Sequence, residues 1–440
     1  MQTHGKLNTA TLGLRKSIWA VRSLRDRGIS RTLISLKREL ASSDEKATSW
    51  WEQWPYRWID QCAEAPRPRP LRRTPPDPAH LEINWVIPGF SRGSGGHMTI
   101  FRMVSYLERF GHKQRVYIQD PAASGLPSQP VHLQALVQDW FLPIQSPVLP
   151  LDGEMEPADI AMATGWTTAY SVRQTQCAPV KVYFIQDYES SFYPAGSESQ
   201  FAENTYHFGF YAITAGRWLE RLMRDQYKMV TRSFPLAVEH RDFWPQAEKR
   251  SSSPKVVAYI RPATPRRAYE LVALALRRIH QAVPDVEIHV LGAELGPSAL
   301  PVPFVSHGII GTSEMRRLFS ACDVGICVSM TNYSLLPQEM AACGCAVVDL
   351  DGDNNRTVYP PGAIALAEPT PEGLAGEVIR LLKDPVALHQ QKSAGLDYVR
   401  TLSWEKSARL VEAALREFAL GAQDEDSPRV AREAAGTRQH

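Results

Sequence analysis

The chain lacks any long apolar run. The longest, such as Ile83 to Phe90 and Cys345 to Leu350, are strand-length, far short of the roughly 18 residues a membrane-spanning helix needs, which argues against a transmembrane protein. Cysteine is scarce. Six residues (Cys62, Cys177, Cys322, Cys327, Cys343 and Cys345) in 440, with no CxxC and no Cys/His ligand spacing, exclude a disulfide scaffold and read as buried thiols. The twelve histidines are scattered, so no structural metal is expected. Charge of one sign is also missing: 49 Lys plus Arg against 47 Asp plus Glu leave +2, which argues against nucleic acid as a partner. The N-terminus shows no compact apolar core followed by a small-residue cleavage site, so the expected compartment is the cytoplasm. No GKS or GKT occurs, and a GxGxxG frame begun at Gly93 and Gly95 meets Met98 where its third glycine belongs. Neither ATP hydrolysis nor hydride transfer is favoured.

What is present is an ordinary globular composition, 44% hydrophobic and 22% charged, enough for two to three domains. Residues 1–42 hold nine Lys or Arg against two Asp or Glu, a basic head on an acidic body. Leu14, Ile18, Val21, Leu24, Ile29, Leu33, Leu36 and Leu40 recur there at roughly helical spacing, and Trp50, Trp51, Trp54 and Trp58 follow. This extension is expected to pack on the body or on a second chain, the alternative being peripheral contact with the inner face of the plasma membrane. From Ala65 to Pro78 six prolines alternate with arginines, an extended linker.

Beyond it, β-rich runs alternate with helical ones, the pattern of βαβ units. One series has strands at Ile83–Ile87, Gln114–Ile118, Asp159–Ala163, Val180–Ile185 and Phe210–Thr214. A second has them at Val256–Ile260, Glu287–Leu291, Val324–Val328 and Ala346–Leu350, after a break near Phe243–Pro254. The expected organisation is a helical extension with its linker (1–80), two facing Rossmann-like α/β domains (81–246 and 247–402), a helix packing back on the first domain (403–420) and a disordered tail (421–440).

Three stretches carry candidate chemistry. The first strand leads through Ser91-Arg92-Gly93-Ser94-Gly95-Gly96-His97 into a helix over Met98–Phe110. Gly95 and Gly96 let backbone N–H groups approach a phosphate or sugar, and His97 either contacts it or caps its own helix. A second strand delivers Arg261, Arg266 and Arg267 before a helix beginning near Ala268; forked donors at a strand's carboxyl end suit a diphosphate. Cations at a helix start would be electrostatically awkward. Asp187, just past another strand, could orient or deprotonate an acceptor, or merely cap a turn. Asp349-Leu350-Asp351-Gly352-Asp353 fails as a calcium loop, with Asn354 at position six and Pro360 at position twelve, and no metal is expected there.

The third stretch runs from Ser329 to Val348. Its Pro337, Glu339, Ala342, Cys343 and Gly344 match in register the ExxxxxxxE stretch of GT-B glycosyltransferases of family four, which this chain resembles over about residues 82–418. Gly95-Gly96-His97, Gly111-His112, Arg261 and Arg266 strengthen the likeness. Tyr183 to Glu189, the Arg-Pro-x-x-x-Arg-Arg run and Asp353-Asn354-Asn355 narrow it to the WsaF-type rhamnosyltransferases. The resemblance implies a GT-B fold and retaining, metal-independent transfer of L-rhamnose from dTDP-rhamnose to a glycan or lipid-linked glycan, with no further cofactor. It implies that Glu339 binds the ribose, that Arg261 and Arg266 neutralise the diphosphate, and that amides around Tyr333, Ser334 and Leu335 hold sugar or phosphate. It has one departure: Thr331 stands where the family carries a donor-gripping glutamate. That leaves two alternatives in view, an inactive binding or scaffold subunit and a sugar-nucleotide epimerase.

Overall fold

The computed structural model describes residues 53–62, 76–247 and 253–424. The basic head, Trp50, Trp51, most of the proline-rich linker and residues 425–440 lie outside the described residues.

Two all-parallel sheets organise the rest. The first contains β1 (Glu82–Pro88), β2 (Lys113–Gln119), β3 (Val148–Leu151), β4 (Ile160–Ala163), β5 (Val180–Ile185), β6 (Tyr211–Ala215) and β7 (Thr231–Phe234), in spatial order β3-β2-β1-β4-β5-β6-β7. The second contains β8 (Lys255–Tyr259), β9 (Glu287–Leu291), β10 (Val305–Ser306), β11 (Val324–Ile326), β12 (Ala346–Leu350) and β13 (Ala365–Ala367), ordered β10-β9-β8-β11-β12-β13. Each is doubly wound. The order reverses between β1 and β4 and again between β8 and β11, and open parallel sheets bind ligands at such switch points, outside the strands' carboxyl ends. Helices cover both faces, so the central strands are buried throughout; β4, β11 and β12 have no exposed residue.

The helices of the first half are α1 (Gly95–Arg109), α2 (Pro130–Trp140), α3 (Trp166–Gln174), α4 (Ser197–Asn204) and α5 (Arg217–Tyr227). Those of the second are α6 (Tyr269–Ala282), α7 (Thr312–Ala321), α8 (Leu336–Ala342), α9 (Asp353–Val358), α10 (Pro371–Lys383), α11 (Pro385–Arg400) and α12 (Trp404–Asp424). Local chemistry starts several of them. Thr370 accepts the Gly373 N–H at 2.9 Å, and Asp384 accepts those of Val386 and Ala387 at 3.0 Å each, with Pro371 and Pro385 at the first helical positions. In α1, Ile100, Phe101, Met103, Val104 and Leu107 form one buried stripe.

Several boundaries differ from the sequence reading. α1 begins at Gly95 rather than Met98, because Ser94 is extended (φ −75°, ψ 107°) and its carbonyl accepts the Met98 N–H at 3.0 Å, closing a first turn that contains both glycines and His97. α6 begins at Tyr269, close to the expected Ala268, after a 3₁₀ turn over Pro265–Arg267 and a left-handed Ala268 (φ +45°), so Arg266 and Arg267 lie ahead of the helix rather than in its first turn. β11 stops at Ile326. α12 runs to Asp424, past the expected start of the tail. It lies on the first half: Ser407 Oγ donates to Pro235 O at 2.7 Å, and the Phe418 and Tyr211 rings stack at 4.5 Å. Among the described residues no helix is long and apolar enough to cross a membrane, and all six cysteines are free and buried.

Candidate active site

At the switch point of the second sheet the chain leaves β8 through Ile260 into the arginine turn. The three arginines do different things. Arg267 donates from Nη1 to Val328 O at 3.3 Å and stacks over Tyr259, 5.3 Å from the ring centroid. It braces β8 against β11. Arg261 is half-buried and forms no ion pair among the described residues. Arg266 reaches the other half, where its Nε stands 3.4 Å from Asp187 Oδ2 and its Cζ lies 4.2 Å over the Phe192 ring.

The loop after β11 faces that turn. Asp349 Oδ1 accepts the Ser329 N–H at 3.4 Å, Asn354 Nδ2 donates to Ser329 O at 3.3 Å, and the Met330 N–H donates to Arg266 O at 3.0 Å, so the loop is gripped on both sides. Thr331 Oγ1 is buried beside Asp187, whose carboxyl it draws down. Asn332 Nδ2 donates to the carbonyls of Gln186 (2.9 Å) and Ala215 (3.1 Å), at the carboxyl ends of β5 and β6. Tyr333 is buried across the same junction: its hydroxyl accepts the Leu236 N–H at 2.6 Å, and its ring lies against Gly216. A Cβ at Gly216 would stand 2.6 Å from the Tyr333 ring, and its φ of +93° is itself a conformation that favours glycine.

Ser334 is buried, and Leu335 opens α8. Their amide N–H groups donate to no carbonyl among the described residues. Gly325 allows α8 to press on β11, since a Cβ there would meet Met340 Sδ at 2.6 Å. This packing carries Glu339 into a buried position where its side chain makes no hydrogen bond among the described residues. Burial pushes its carboxyl up to about 7, with Arg102 of α1 drawing it down and Asp242 pushing it up.

On the first half, Gln186 Nε2 donates to Gly96 O at 3.1 Å, and packing does not demand a glycine at either Gly95 or Gly96, where a Cβ would meet nothing closer than 3.6 Å. His97 has both ring nitrogens engaged, Nδ1 with Ser94 Oγ at 2.7 Å and Nε2 with Pro88 O at 3.3 Å. Burial lowers it to about 4, so the ring is neutral at physiological pH. It secures the start of α1. Asp187 Oδ1 accepts the Tyr188 N–H at 2.9 Å, and burial raises its carboxyl in spite of Arg266; turn capping and ion pairing coexist there. The acidic run after β12 disperses. Asp349 is fully buried, Asp351 pairs with Arg356 at 2.5 Å and Asp353 with Arg221 at 2.5 Å. No three His, Cys, Asp or Glu gather as a metal-binding group among the described residues.

Sequence reasoning overlooked four contributors. Asn332 was visible within the Ser329–Val348 stretch and Glu189 within the Tyr183–Glu189 run; Phe192 and Arg102 carried no signal. Glu189 accepts from Trp166 N–H at 2.7 Å and Tyr183 OH at 3.1 Å and is pushed up to about 7 by burial. It shapes the loop after β4 from within.

With this arrangement in view, two family models match, "WsaF, N-terminal domain" over residues 152–215 and "WsaF, C-terminal domain" over residues 254–379. In both segments the chain resembles the WsaF family. It is also 32% identical over 328 residues to the O-antigen biosynthesis protein RfbC of Myxococcus xanthus, a match covering 73% of this chain and 26% of that protein; the chain thus spans about a quarter of that relative's length. Among solved structures it is similar to sucrose-phosphate synthase of Thermosynechococcus elongatus (TM-score 0.61, 16% identity, 78% of this chain and all of that one). It is likewise similar to an S. aureus TarM mutant in complex with fondaparinux, α-GlcNAc-glycerol and UDP (TM-score 0.62, 8% identity, 76% and 99%). Anabaena HepE in complex with UDP and glucose gives a TM-score of 0.57 at 13% identity over 78% and 100%. The chain therefore has the expected GT-B fold of two Rossmann-like halves.

Proposed function

We propose that this chain is a glycosyltransferase of surface-polysaccharide assembly that moves L-rhamnose from dTDP-rhamnose to a glycan hydroxyl, with retention and without a metal. One observation carries the reading: Arg261, Arg266 and Arg267 gather at the carboxyl end of β8, beside its switch point with β11, where a diphosphate leaving group can be stabilised as negative charge develops on it. The relatives' functions and ligands support the general class, and the WsaF likeness supports rhamnose. In this reading Glu339 accepts from the ribose, the amides of Ser334 and Leu335 meet sugar or phosphate, and Asp187 with Gly95 and Gly96 faces the acceptor from the first half, where His97 secures the start of α1. Closure of the halves excludes water from the transferred sugar.

The test supplies dTDP-rhamnose, UDP-glucose and other nucleotide sugars with glycan acceptors and follows release of the nucleoside diphosphate. Acceptor-dependent release of dTDP, abolished by Arg261→Ala and by Glu339→Ala, is expected. Thr331 favours a second reading, an inactive binding subunit; tight nucleotide binding with no turnover on any acceptor would establish it. Sugar conversion without acceptor would point to an epimerase.

A further inference from the structure

Arg266 is rooted in the second half and ends in the first. The Met330 N–H holds its carbonyl, which fixes the turn it leaves from, while its guanidinium lies on Phe192 and faces Asp187. That ion pair is poorly made. The Nε–H is buried without an aligned acceptor, and the guanidinium makes no other hydrogen bond to a described residue. Yet arginine carries five donors in a fork that fits two oxygens of one anion at once. Asp187 gives Oδ1 to Tyr188 and turns only Oδ2 toward the cation. Thr331 Oγ1 is buried beside that carboxylate and draws its pKa down. Arg261 and Arg267 add to the positive potential at Arg266, and the acidic groups set against it are Asp187 and, behind it, Glu189.

We propose that Asp187 is a placeholder on Arg266: a phosphate-bearing ligand entering the second half takes the guanidinium over, and the displaced carboxylate turns to the acceptor side. The proposal rests on reading Arg266 as a diphosphate ligand. The exchange replaces one unaligned contact by a forked, charge-assisted one, which favours the incoming anion. Phe192 serves as a pivot, since stacking on its face constrains the guanidinium without using any of its N–H donors. Asp187 keeps its bond to Tyr188 and so stays at the end of β5 after release, with Oδ2 free to accept from a hydroxyl. Donor therefore binds before acceptor.

Titration calorimetry on the full chain with dTDP, UDP and inorganic pyrophosphate tests this. Removing the competitor in Asp187→Asn or Asp187→Ser is expected to tighten dTDP binding by roughly three- to tenfold, and Arg266→Gln to weaken it by about tenfold or more. In the Arg266→Gln background, Asp187→Asn is expected to change affinity by less than about twofold, because nothing is left to compete for. Melting curves matching wild type show that the variants are folded, and two side chains at position 187 guard against one failing to fold. Unchanged or weaker binding in both Asp187 variants, with Arg266→Gln still weakening it, overturns the placeholder and leaves the diphosphate reading standing. Wild-type chain that binds none of the three probes, or an Arg266→Gln chain that binds them as well as wild type, overturns that reading and the placeholder together.

Discussion

Glu339 concentrates the chemistry of the site in a single titration. A ribose offers two hydroxyl donors, and an ionised carboxylate can accept both, whereas the protonated form gives up acceptor capacity to its own O–H. Burial sets the free group at about 7, so ligand binding must draw it into the ionised form, and affinity should fall as pH drops below about 7. Glu339→Gln should lose roughly 1.5–3 kcal/mol of dTDP binding at pH 8, the range for hydrogen bonds to a charged group, and much less at pH 6. The ratio of wild-type to variant Kd, measured calorimetrically at each pH, cancels the titration of the diphosphate itself. A ratio that stays constant from pH 6 to pH 8 would show that Glu339 does not hold the nucleotide. The sequence pointed to this residue because Pro337, Ala342, Cys343 and Gly344 match in register the stretch it resembles in GT-B glycosyltransferases of family four. It could not point to Arg102, which tunes the same carboxyl from α1 in the other half, because no spacing links two residues brought together only by tertiary packing.

At the scale of elements, the same limit explains which strands were legible. The nine strands read from the sequence are the inner ones, buried on both faces and so written as apolar runs. The four overlooked, β3, β7, β10 and β13, are the two edges of each sheet. They are short, β3 carries Pro150, and both residues of β10 are exposed, features that manage an open edge and erase the run. α12 was legible as a helix, but its anchor was not. Glu412 is buried where it accepts from His112 Nε2 at 3.2 Å, Arg409 at 3.0 Å and Arg416 at 2.6 Å, while His112 Nδ1 accepts the Leu81 N–H at 3.1 Å. That second bond assigns the ring proton to Nε2. Glu412→Ala leaves a buried imidazole N–H without an acceptor and should cost about 2–4 kcal/mol in urea unfolding; Glu412→Gln, which keeps an acceptor, should cost less than half as much. Equal stability of the two variants would mean that the bond to His112 does not secure the helix.

Across the whole molecule, the halves meet through the carboxyl ends of β5, β6, β11 and β12, and burying polar groups there and beneath the site has a consequence for stability. Glu189, Glu339 and Asp349 are each pushed up to about 7 by burial. Unfolded, such groups titrate near 4. Between those values the native chain holds protons that the unfolded chain has released, so each group's contribution is complete below about pH 4 and is lost as pH rises toward 7. Histidines act in the opposite sense: His97, lowered to about 4, and His112, His289 and His307, also lowered by burial, favour the native state increasingly as pH rises toward 6.5. The two trends partly cancel in the wild-type curve, so the carboxyls must be isolated by difference. Asp349 is the cleanest case, because Oδ1 receives the Leu350 N–H at 2.7 Å and the Ser329 N–H while Oδ2 is buried near Asn355. An asparagine can keep the first two bonds and cannot ionise. Relative to wild type, Asp349→Asn should gain about 2.5 kcal/mol in unfolding free energy between pH 5 and pH 8, from roughly 1.4 kcal/mol for each pH unit between pH 5 and the folded pKa of about 7. Urea denaturation at both pH values measures it, and a difference that does not change with pH would mean that Asp349 is ionised in the native chain at pH 5, held by Arg267 more firmly than burial opposes it.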